Sequence, residues 1–311
     1  MFKLPNFSVA IAVYNKQENI LSTLQSVLHQ SHAAKEVVIV NDGSTDESEK
    51  LILSINDSRI KYIRQENQGA AAARNTAIIH CTHPYIALID ADDIWHADFL
   101  KHIVEAIKKF PEKKVFSTGL NIENKNNKIF KAHYSIPDIE EVNTYNYFEA
   151  SKKASIIHSS AIVLHKDIFK EIGFFDEKIL SGQDTDLWIR IGLKFSVVFI
   201  PQYLATYRYV PNSLYHSGVD LADKIQLDKF SKDEKNNALL KEFLDLNRYS
   251  LAVSAKENKS HQWFKKLTAD IDFKNLNYKQ RFILKSPVWC IRIMKYIQSA
   301  LSRIGLRTTS F

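Results

Sequence analysis

The sequence is poor in cysteine and contains no long apolar run. Its two cysteines, Cys81 and Cys290, stand far apart among 311 residues and match no metal-binding spacing. We therefore expect two buried or inert thiols in a reducing compartment. No run of about 18 apolar residues occurs, so no transmembrane helix is predicted, and the first residues lack the features of a secretory signal. These absences favour a cytoplasmic location.

The composition is that of a folded globular protein. Hydrophobic residues make up 45% of the chain and charged residues 25%, which predicts a sizeable core and no wholesale disorder. The formal net charge of +7 favours anionic partners such as nucleotides, lipid phosphates or nucleic acid. Because the basic residues are spread out and no recognised nucleic-acid module occurs, we expect no nucleic-acid partner.

Short apolar runs alternate with helical periodicity along much of the chain. Strands are predicted at residues 9–13, 37–40, 60–63, 85–89, 115–116, 161–164 and 197–200, and helices at 20–28, 51–55, 70–79, 99–110 and 186–193. This alternation predicts an α/β, Rossmann-like fold, a mostly parallel sheet with helices on both faces. Residues 121–147 are polar and irregular, which indicates a hairpin or insertion. Lysine-rich helical patterns come later, so we predict one domain over residues 1–219 and a helical, basic extension over 220–311.

Three polar clusters stand directly after predicted strands, at Tyr14, at residues 41–42 and at residues 90–93. The carboxyl ends of parallel strands meet at one edge of a sheet, and ligands bind there. Residues 90–93 read Asp-Ala-Asp-Asp, and carboxylates two apart at a strand end converge on a hard cation such as Mg²⁺ or Mn²⁺. Such a cation would neutralise a diphosphate. The alternative is a solvated acidic turn that caps the next helix.

Three side chains outside the 90–93 cluster are also candidates for a role in the site. Asp42, in an Asn-Asp-Gly-Ser-Thr-Asp turn, is a candidate acceptor for a nucleobase N–H. Arg74 ends an alanine-rich stretch after Gly69 and is a candidate phosphate or base ligand, although the stretch is not a Walker loop. Asp184 stands at a predicted helix start and is the candidate general base. The structural alternatives are a helix cap, a close-packed alanine helix with a surface arginine, and a capping carboxylate.

Taken together and in this order, the motifs resemble glycosyltransferase family 2, an inverting GT-A group that includes enzymes of bacterial polysaccharide biosynthesis. The resemblance runs from Phe7 to about Ser213, roughly two thirds of the chain. The matching segments are the opening strand at 8–15, the turn at 41–46, the Gly-x-x-x-Ala-Arg-Asn segment at 69–75, the Asp-x-Asp-Asp motif at 90–93 and Gln-Asp at 183–184.

The resemblance implies a role for each matched residue. Tyr14 would stack near the nucleobase, Asp42 would hydrogen-bond it, Arg74 would contact the base or diphosphate, Asp90 would face the ribose, Asp92 and Asp93 would bind Mg²⁺ or Mn²⁺, Asp184 would deprotonate the acceptor, and Arg208 would contact the diphosphate. The implied reaction moves a sugar, with inversion, from a nucleoside diphosphate to a hydroxyl of a glycan or lipid-linked acceptor. A UDP-sugar is the expected donor.

Three positions depart from the family pattern. Asn41 replaces the first Asp of the turn, and Gln183 replaces the Glu beside the base, but neither change removes a residue given a role. Val210 stands where the family often has histidine, and valine binds neither metal nor phosphate.

Two other functions stay open. One is a nucleotidyltransferase that makes the nucleotide sugar, although no Gly-rich loop with a basic triplet follows the first strand; the other is a non-catalytic nucleotide- or carbohydrate-binding module, although the carboxylates are intact.

The chain is basic and amphipathic from Phe282 onward. Pro287 is suited to the first turn of a helix. Apolar residues recur beyond it at helical spacing, and basic residues stand among them without an acidic one: Ile293, Tyr296, Ile297, Ala300, Leu301 and Ile304, with Lys285, Arg292, Lys295, Arg303 and Arg307. Such a helix lies in an anionic membrane surface or docks on protein. The family resemblance favours the membrane, as a peripheral protein on the cytoplasmic face of the inner membrane.

Overall fold

A computed structural model describes residues 4–137, 141–210 and 221–303. The chain divides into two compact units after Ile225, and each unit is described by itself. The boundary predicted between residues 219 and 220 falls in the segment 211–220, outside the described residues, and stays a prediction.

The first unit is built on one β-sheet. Its strands, within the described residues, are β1 (Phe7–Val13), β2 (Glu36–Asp42), β3 (Ile60–Gln65), β4 (Tyr85–Leu88), β5 (Ile94–Trp95), β6 (Val115–Glu123), β7 (Ile129–Lys131), β8 (Asn143–Tyr145), β9 (Ile162–His165) and β10 (Val197–Tyr207). They lie in the order β3-β2-β1-β4-β9-β6-β10-β5, with β7 beside β6 and β8 beside β10.

Helices connect these strands in the predicted alternation. They are α1 (Ile20–Leu28), α2 (Ser48–Leu53), α3 (Ala70–His80), α4 (Phe99–Lys109), α5 (Tyr147–Ala150), α6 (Ile168–Ile172) and α7 (Gln183–Lys194). The predicted α/β fold with a mostly parallel central sheet is thereby confirmed. The irregular stretch begins with a hairpin, since β7 folds back antiparallel on β6.

Strand direction decides which chain segments share an edge of the sheet. The strands β3, β2, β1 and β4 run parallel to one another. β9 then runs antiparallel between β4 and β6, and β10 lies parallel to β6. The carboxyl ends of β1, β2, β4 and β10 and the amino end of β9 therefore meet at one edge, here named the shared edge.

The core confirms the reading of the β-branched run in β2. Val37, Val38, Ile39 and Val40 are all fully buried. Because successive side chains of a strand point to opposite faces, both faces of the sheet are covered here. The helix α3 packs against β1 and β2, and its small buried alanines allow that close approach.

Both cysteines are free thiols, as predicted. Cys81 follows α3 and is buried, and burial raises the pKa of its thiol to about 12. A thiol with so high a pKa is inert, because the thiolate is the nucleophile.

The described part of the second unit is helical, as expected. Its α-helices are α8 (Ser231–Glu234), α9 (Ala238–Glu257), α10 (His261–Ala269), α11 (Tyr278–Lys285) and α12 (Val288–Arg303). The helix α12 begins directly after Pro287, whereas Ile304 and Arg307 lie outside the described residues. None of the helices described is long and apolar enough to cross a membrane.

Candidate active site

The loops after β1 and β2 are tied to each other at the shared edge. Asn15 has a positive φ of 51°; its backbone N–H donates to Ser44 Oγ at 3.0 Å, and its side-chain oxygen accepts from the Thr45 N–H at 2.8 Å. Tyr14, the residue before it, is 47% exposed. A large ring on a fixed loop at the edge is therefore available to a ligand.

Asp42 ends β2 and is buried, and its carboxylate holds the turn that precedes α3. One oxygen accepts from Gln65 Nε2 at 2.8 Å and from the Gln68 N–H at 2.9 Å, while the other accepts from the Gly69 N–H at 2.9 Å. Gly69 has φ 91°, a conformation that favours glycine. Asp42 thus positions the start of the helix that carries Arg74.

Arg74 points from α3 to the carboxylate at the end of β4. Its Nη2 donates to Asp90 Oδ1 at 2.6 Å, and its guanidinium lies 5.6 Å from the ring centre of Phe175. Burial alone would lower the pKa of Arg74. The nearby carboxylates, Asp90 first among them, have the larger effect and raise the pKa. Its Nη1 is buried and has no hydrogen-bond partner among the described residues. One strong donor is thus left for an anion.

The adjacent carboxylates Asp92 and Asp93 have different surroundings. Asp92 is buried apart from 13% of its side chain, and its Oδ2 lies 2.5 Å from Lys16 Nζ. Asp93 is fully buried; its Oδ2 accepts from Ser160 Oγ at 2.5 Å and its Oδ1 from the Arg208 N–H at 3.0 Å. Burial, with the nearby charges of Asp90 and Asp92, raises the pKa of Asp93 well above its usual range.

Arg208 follows β10 and is bonded along its whole guanidinium. Its Nε donates to the Asp92 carbonyl, its Nη1 to Ser22 Oγ at 2.9 Å, and its Nη2 to the Asn19 carbonyl at 3.4 Å. Burial lowers the pKa of Arg208. The side chain joins the end of β10, the 90–93 turn and the start of α1, and it brings a positive charge beside that turn.

Asp184 lies in the first turn of α7, after Gly182 at φ 85°. Its Oδ1 accepts from the Thr185 N–H at 2.7 Å. Its charge helps raise the pKa of Arg74, so the α7 terminus lies within electrostatic reach of the α3 arginine. Arg190, by contrast, donates to buried Asp186 at 2.8 Å and to the Phe174 carbonyl at 2.8 Å, which makes it a structural residue of α7.

The structure brings the predicted residues together at one edge and adds three that the motifs did not include. These are Lys16, on Asp92, and the pair His158 and Ser160, which precede β9. Ser160 Oγ accepts from the Asp90 N–H at 3.0 Å as it donates to Asp93. Lys16 could have been found from sequence, because it stands only two residues after Tyr14 in the same polar segment. His158 and Ser160 could not, because they stand before their strand and not after it.

No three His, Cys, Asp or Glu side chains in the described ranges are placed to enclose a metal ion by themselves. Magnesium sites that act on phosphates commonly use one or two carboxylates, with the substrate's phosphates and water as the remaining ligands. The carboxylates at residues 90–93 match that smaller protein contribution.

The sequence of residues 8–173 matches the family described as Glycosyl transferase family 2. The amylovoran biosynthesis glycosyltransferase AmsB of Erwinia amylovora is 32% identical over 216 residues, which cover 66% of this chain and 70% of AmsB. The UDP-Glc:alpha-D-GlcNAc-diphosphoundecaprenol beta-1,3-glucosyltransferase WfaP of Escherichia coli is 31% identical over 185 residues, 59% of this chain and 69% of WfaP.

Two further comparisons concern a longer relative and a solved structure with a similar fold. An uncharacterized glycosyltransferase of Rickettsia felis is 35% identical over 213 residues, and the chain spans only 32% of its length. The crystal structure of S. aureus TarS 1-349 in complex with UDP-GlcNAc superposes with a TM-score of 0.59 at 16% identity, covering 90% of this chain and 91% of that one. That likeness shows the fold. The family match extends over more than half of the 311 residues, and the chain therefore belongs to glycosyl transferase family 2.

Proposed function

We propose that this protein transfers a sugar from a UDP-sugar to a hydroxyl of a glycan or lipid-linked acceptor, with inversion. The observation that carries the proposal is the convergence of Arg74, the 90–93 turn and Asp184 at the shared edge of a family 2 chain. WfaP, a relative, is named for a UDP-glucose donor and a diphosphoundecaprenol-linked acceptor. Its chemistry supports the same classes of donor and acceptor here.

Asp184 is the proposed general base. A carboxylate at the first turn of α7 is held by the helix dipole and by the Thr185 N–H. It would take the proton from the acceptor hydroxyl as that oxygen attacks the anomeric carbon and the bond to the diphosphate breaks. One displacement inverts the carbon, so the reaction needs no second nucleophile.

Arg74 is the proposed ligand of the departing diphosphate. Its unpartnered Nη1 offers a charged hydrogen bond, and Asp90 holds the guanidinium in place through Nη2. Positive charge that is already positioned lowers the cost of the developing negative charge. Arg208 adds charge beside the turn, although its own donors already bind the chain.

A divalent metal fits this site on Asp92. This carboxylate already faces one cation, since Lys16 Nζ lies 2.5 Å from Asp92 Oδ2. Asp93 is less suited, because its two oxygens already accept hydrogen bonds from Ser160 Oγ and from the Arg208 N–H. We therefore propose Asp92, with Asp90, as the protein ligands, and Asp93 as their support. Mg²⁺ or Mn²⁺ bound there would neutralise the diphosphate charge.

The proposed nucleobase site is formed by the loops after β1 and β2. Exposed Tyr14 supplies a ring for stacking. Asp42 already accepts three hydrogen bonds from residues 65–69, so it would bind the base only through its remaining lone pairs while it holds the loop in place.

One assay separates this proposal from the two open alternatives. UDP-glucose and UDP-N-acetylglucosamine are incubated with the protein, Mg²⁺ and candidate glycan acceptors, and released UDP is measured. A transferase releases UDP in step with acceptor glycosylation. A nucleotidyltransferase would release pyrophosphate from UTP and a sugar phosphate, and a binding module would retain the donor without turnover.

We also propose that the protein lies peripherally on an anionic membrane through its second unit. Exposed apolar side chains stand four residues apart on each of two helices: Tyr278 and Phe282 on α11, and Trp289, Ile293 and Ile297 on α12. No acidic residue occurs after Asp272, whereas Lys274, Lys279, Arg281, Lys285 and Arg292 are basic. Exposed apolar side chains among unbalanced positive charges suit the interface of anionic lipids.

The membrane proposal is tested by co-sedimentation of the full chain with anionic and neutral vesicles. Trp289→Glu with Ile293→Glu should abolish binding to anionic vesicles, and high salt should weaken it in the wild type. Ile79→Glu is the matched control, since Ile79 is 62% exposed in the first unit. Equal binding by all three proteins, or none by the wild type, contradicts the proposal.

A further inference from the structure

His158 lies at the shared edge because β9 runs antiparallel to its neighbours. Ile162, the first residue of β9, pairs with Leu88, and Asp90 follows two residues later. Four residues before Ile162, His158 therefore stands on the side of the sheet where the 90–93 turn lies. Ser160 connects it to that turn, since the Ser160 N–H donates to His158 Nδ1 and Ser160 Oγ donates to Asp93.

The hydrogen bonds of the imidazole fix its tautomer. The Ser160 N–H donates to His158 Nδ1 at 3.1 Å, so Nδ1 is an acceptor and the proton is on Nε2. The ring also packs edge to face on Tyr207, with centres 5.6 Å apart. Within the described chain no residue accepts a hydrogen bond from Nε2, and the side chain is partly exposed. An oriented donor is thus left for a ligand.

The charges around His158 define what that ligand is. Because Nδ1 accepts a hydrogen bond, the imidazole is neutral in this arrangement, and burial lowers the pKa of His158 against the opposite pull of Asp90 and Asp184. A neutral N–H suits a hydroxyl oxygen better than a phosphate, which favours cationic donors. Asp90, Asp184 and Arg74 all act on the pKa of His158, so all three charges lie near the ring.

In a single displacement the transferred sugar lies between the leaving diphosphate and the base. His158 is tied through Ser160 to the 90–93 turn and lies near both Arg74 and Asp184, which places its free N–H where it reaches that sugar. We propose that His158 Nε2–H donates to a hydroxyl oxygen of the donor's sugar and so contributes to the choice of sugar. This inference rests on the proposed function, with Asp184 at the acceptor side and Arg74 at the diphosphate side.

The test compares affinities for UDP and for two UDP-sugars. Calorimetry with Mg²⁺ would measure binding of UDP, UDP-glucose and UDP-N-acetylglucosamine to wild type, His158→Leu and His158→Gln. We expect His158→Leu to weaken binding of the preferred UDP-sugar by about 3- to 10-fold and to leave UDP affinity unchanged. His158→Gln keeps an acceptor and a donor, so it should recover part of the loss.

His165→Leu is the matched control, because His165 ends the same strand at the opposite edge of the sheet. It should change neither affinity. A parallel loss of UDP and UDP-sugar affinity in His158→Leu, or no loss of either, would overturn the role of His158 alone. A wild type that binds neither UDP nor any UDP-sugar would overturn the proposed function as well.

Discussion

The two halves of the sheet contribute to the site in opposite ways. In the half formed by β3, β2, β1 and β4, all strands run parallel, and Tyr14, Asp42 and the 90–93 turn stand at or after the carboxyl end of a strand. In the half around β9, the chain reverses, and His158 and Ser160 stand before their strand. The residues of the site therefore share the same edge of the sheet, whether they stand before or after their strand in the sequence.

The halves also differ in what holds their carboxylates. Asp42, in the parallel half, accepts only from neutral amides of residues 65–69. Asp90 and Asp92, at the junction of the halves, face the cations of Arg74 and Lys16. The first arrangement is a frame for a loop, and the second is a charged site able to exchange its partners for a ligand's.

The largest effect should come from Asp184, which the second half supplies. Asp184→Asn keeps the side-chain size but removes the basic lone pair, so turnover should fall by roughly 10²-fold or more with donor affinity near wild type. Steady-state kinetics and donor calorimetry measure the two quantities. Asp167→Asn, a partly exposed carboxylate before α6, is the control. Wild-type turnover in Asp184→Asn would remove Asp184 from the mechanism.

Ser160→Ala should break the link between the halves. It leaves the Asp90 N–H without its partner and removes one of the two hydrogen bonds to the buried Asp93 carboxylate, whose other oxygen keeps the Arg208 N–H. We expect a loss of at least about 2 kcal/mol in the free energy of unfolding, measured in urea. The neighbouring Ser159→Ala is the control, since the Ser159 hydroxyl bonds no residue of the described chain. If the two variants are equally stable, Ser160 is not the link.

Variants of Asp92 and Asp93 distinguish a residue that binds the metal from one that stabilises the fold around it. Asp92→Asn should weaken Mg²⁺-dependent UDP binding by about 10-fold, because it removes the charge that the cation needs, and chelator should then have little effect. Asp93→Asn should lower the free energy of unfolding by about 1–3 kcal/mol, because its amide cannot accept from both Ser160 and Arg208. Calorimetry with and without chelator, and urea unfolding, measure both variants. The reverse pattern would make Asp93 the metal ligand.

The smallest effect concerns pH. The folded chain holds His158 with its pKa below 6.5, so the unfolded chain takes up the proton more readily. The free energy of unfolding is therefore not reduced by His158 above about pH 6.5. It decreases as the pH falls from there toward the lowered pKa of His158 in the folded chain. Wild type should therefore lose more free energy of unfolding between about pH 8 and pH 5.5 than His158→Gln. Identical losses would show that His158 does not titrate as described.

The parallel half could be predicted from sequence because its signals are local. A β-branched run such as residues 37–40 predicts a buried strand, and a polar residue after it predicts a place at the shared edge. Tyr14, Asp42 and the 90–93 turn follow this rule, whereas Arg74 lies on α3 and was predicted from its own segment.

The rest depends on tertiary structure. Nothing local to Ser160 indicates that β9 reverses, because strand direction is set by pairing with β4 and β6. The different surroundings of Asp92 and Asp93 arise from Lys16, Ser160 and Arg208, which lie far away in sequence. The motif therefore gives the carboxylates but not the groups that surround them.

The most direct measurement is a crystal structure of the chain with UDP and Mg²⁺. The account predicts that the uracil lies by Tyr14, that the diphosphate accepts a hydrogen bond from Arg74, and that the metal contacts Asp92. UDP bound away from the shared edge, or a metal held by Asp93 with Asp92 still on Lys16, would contradict it.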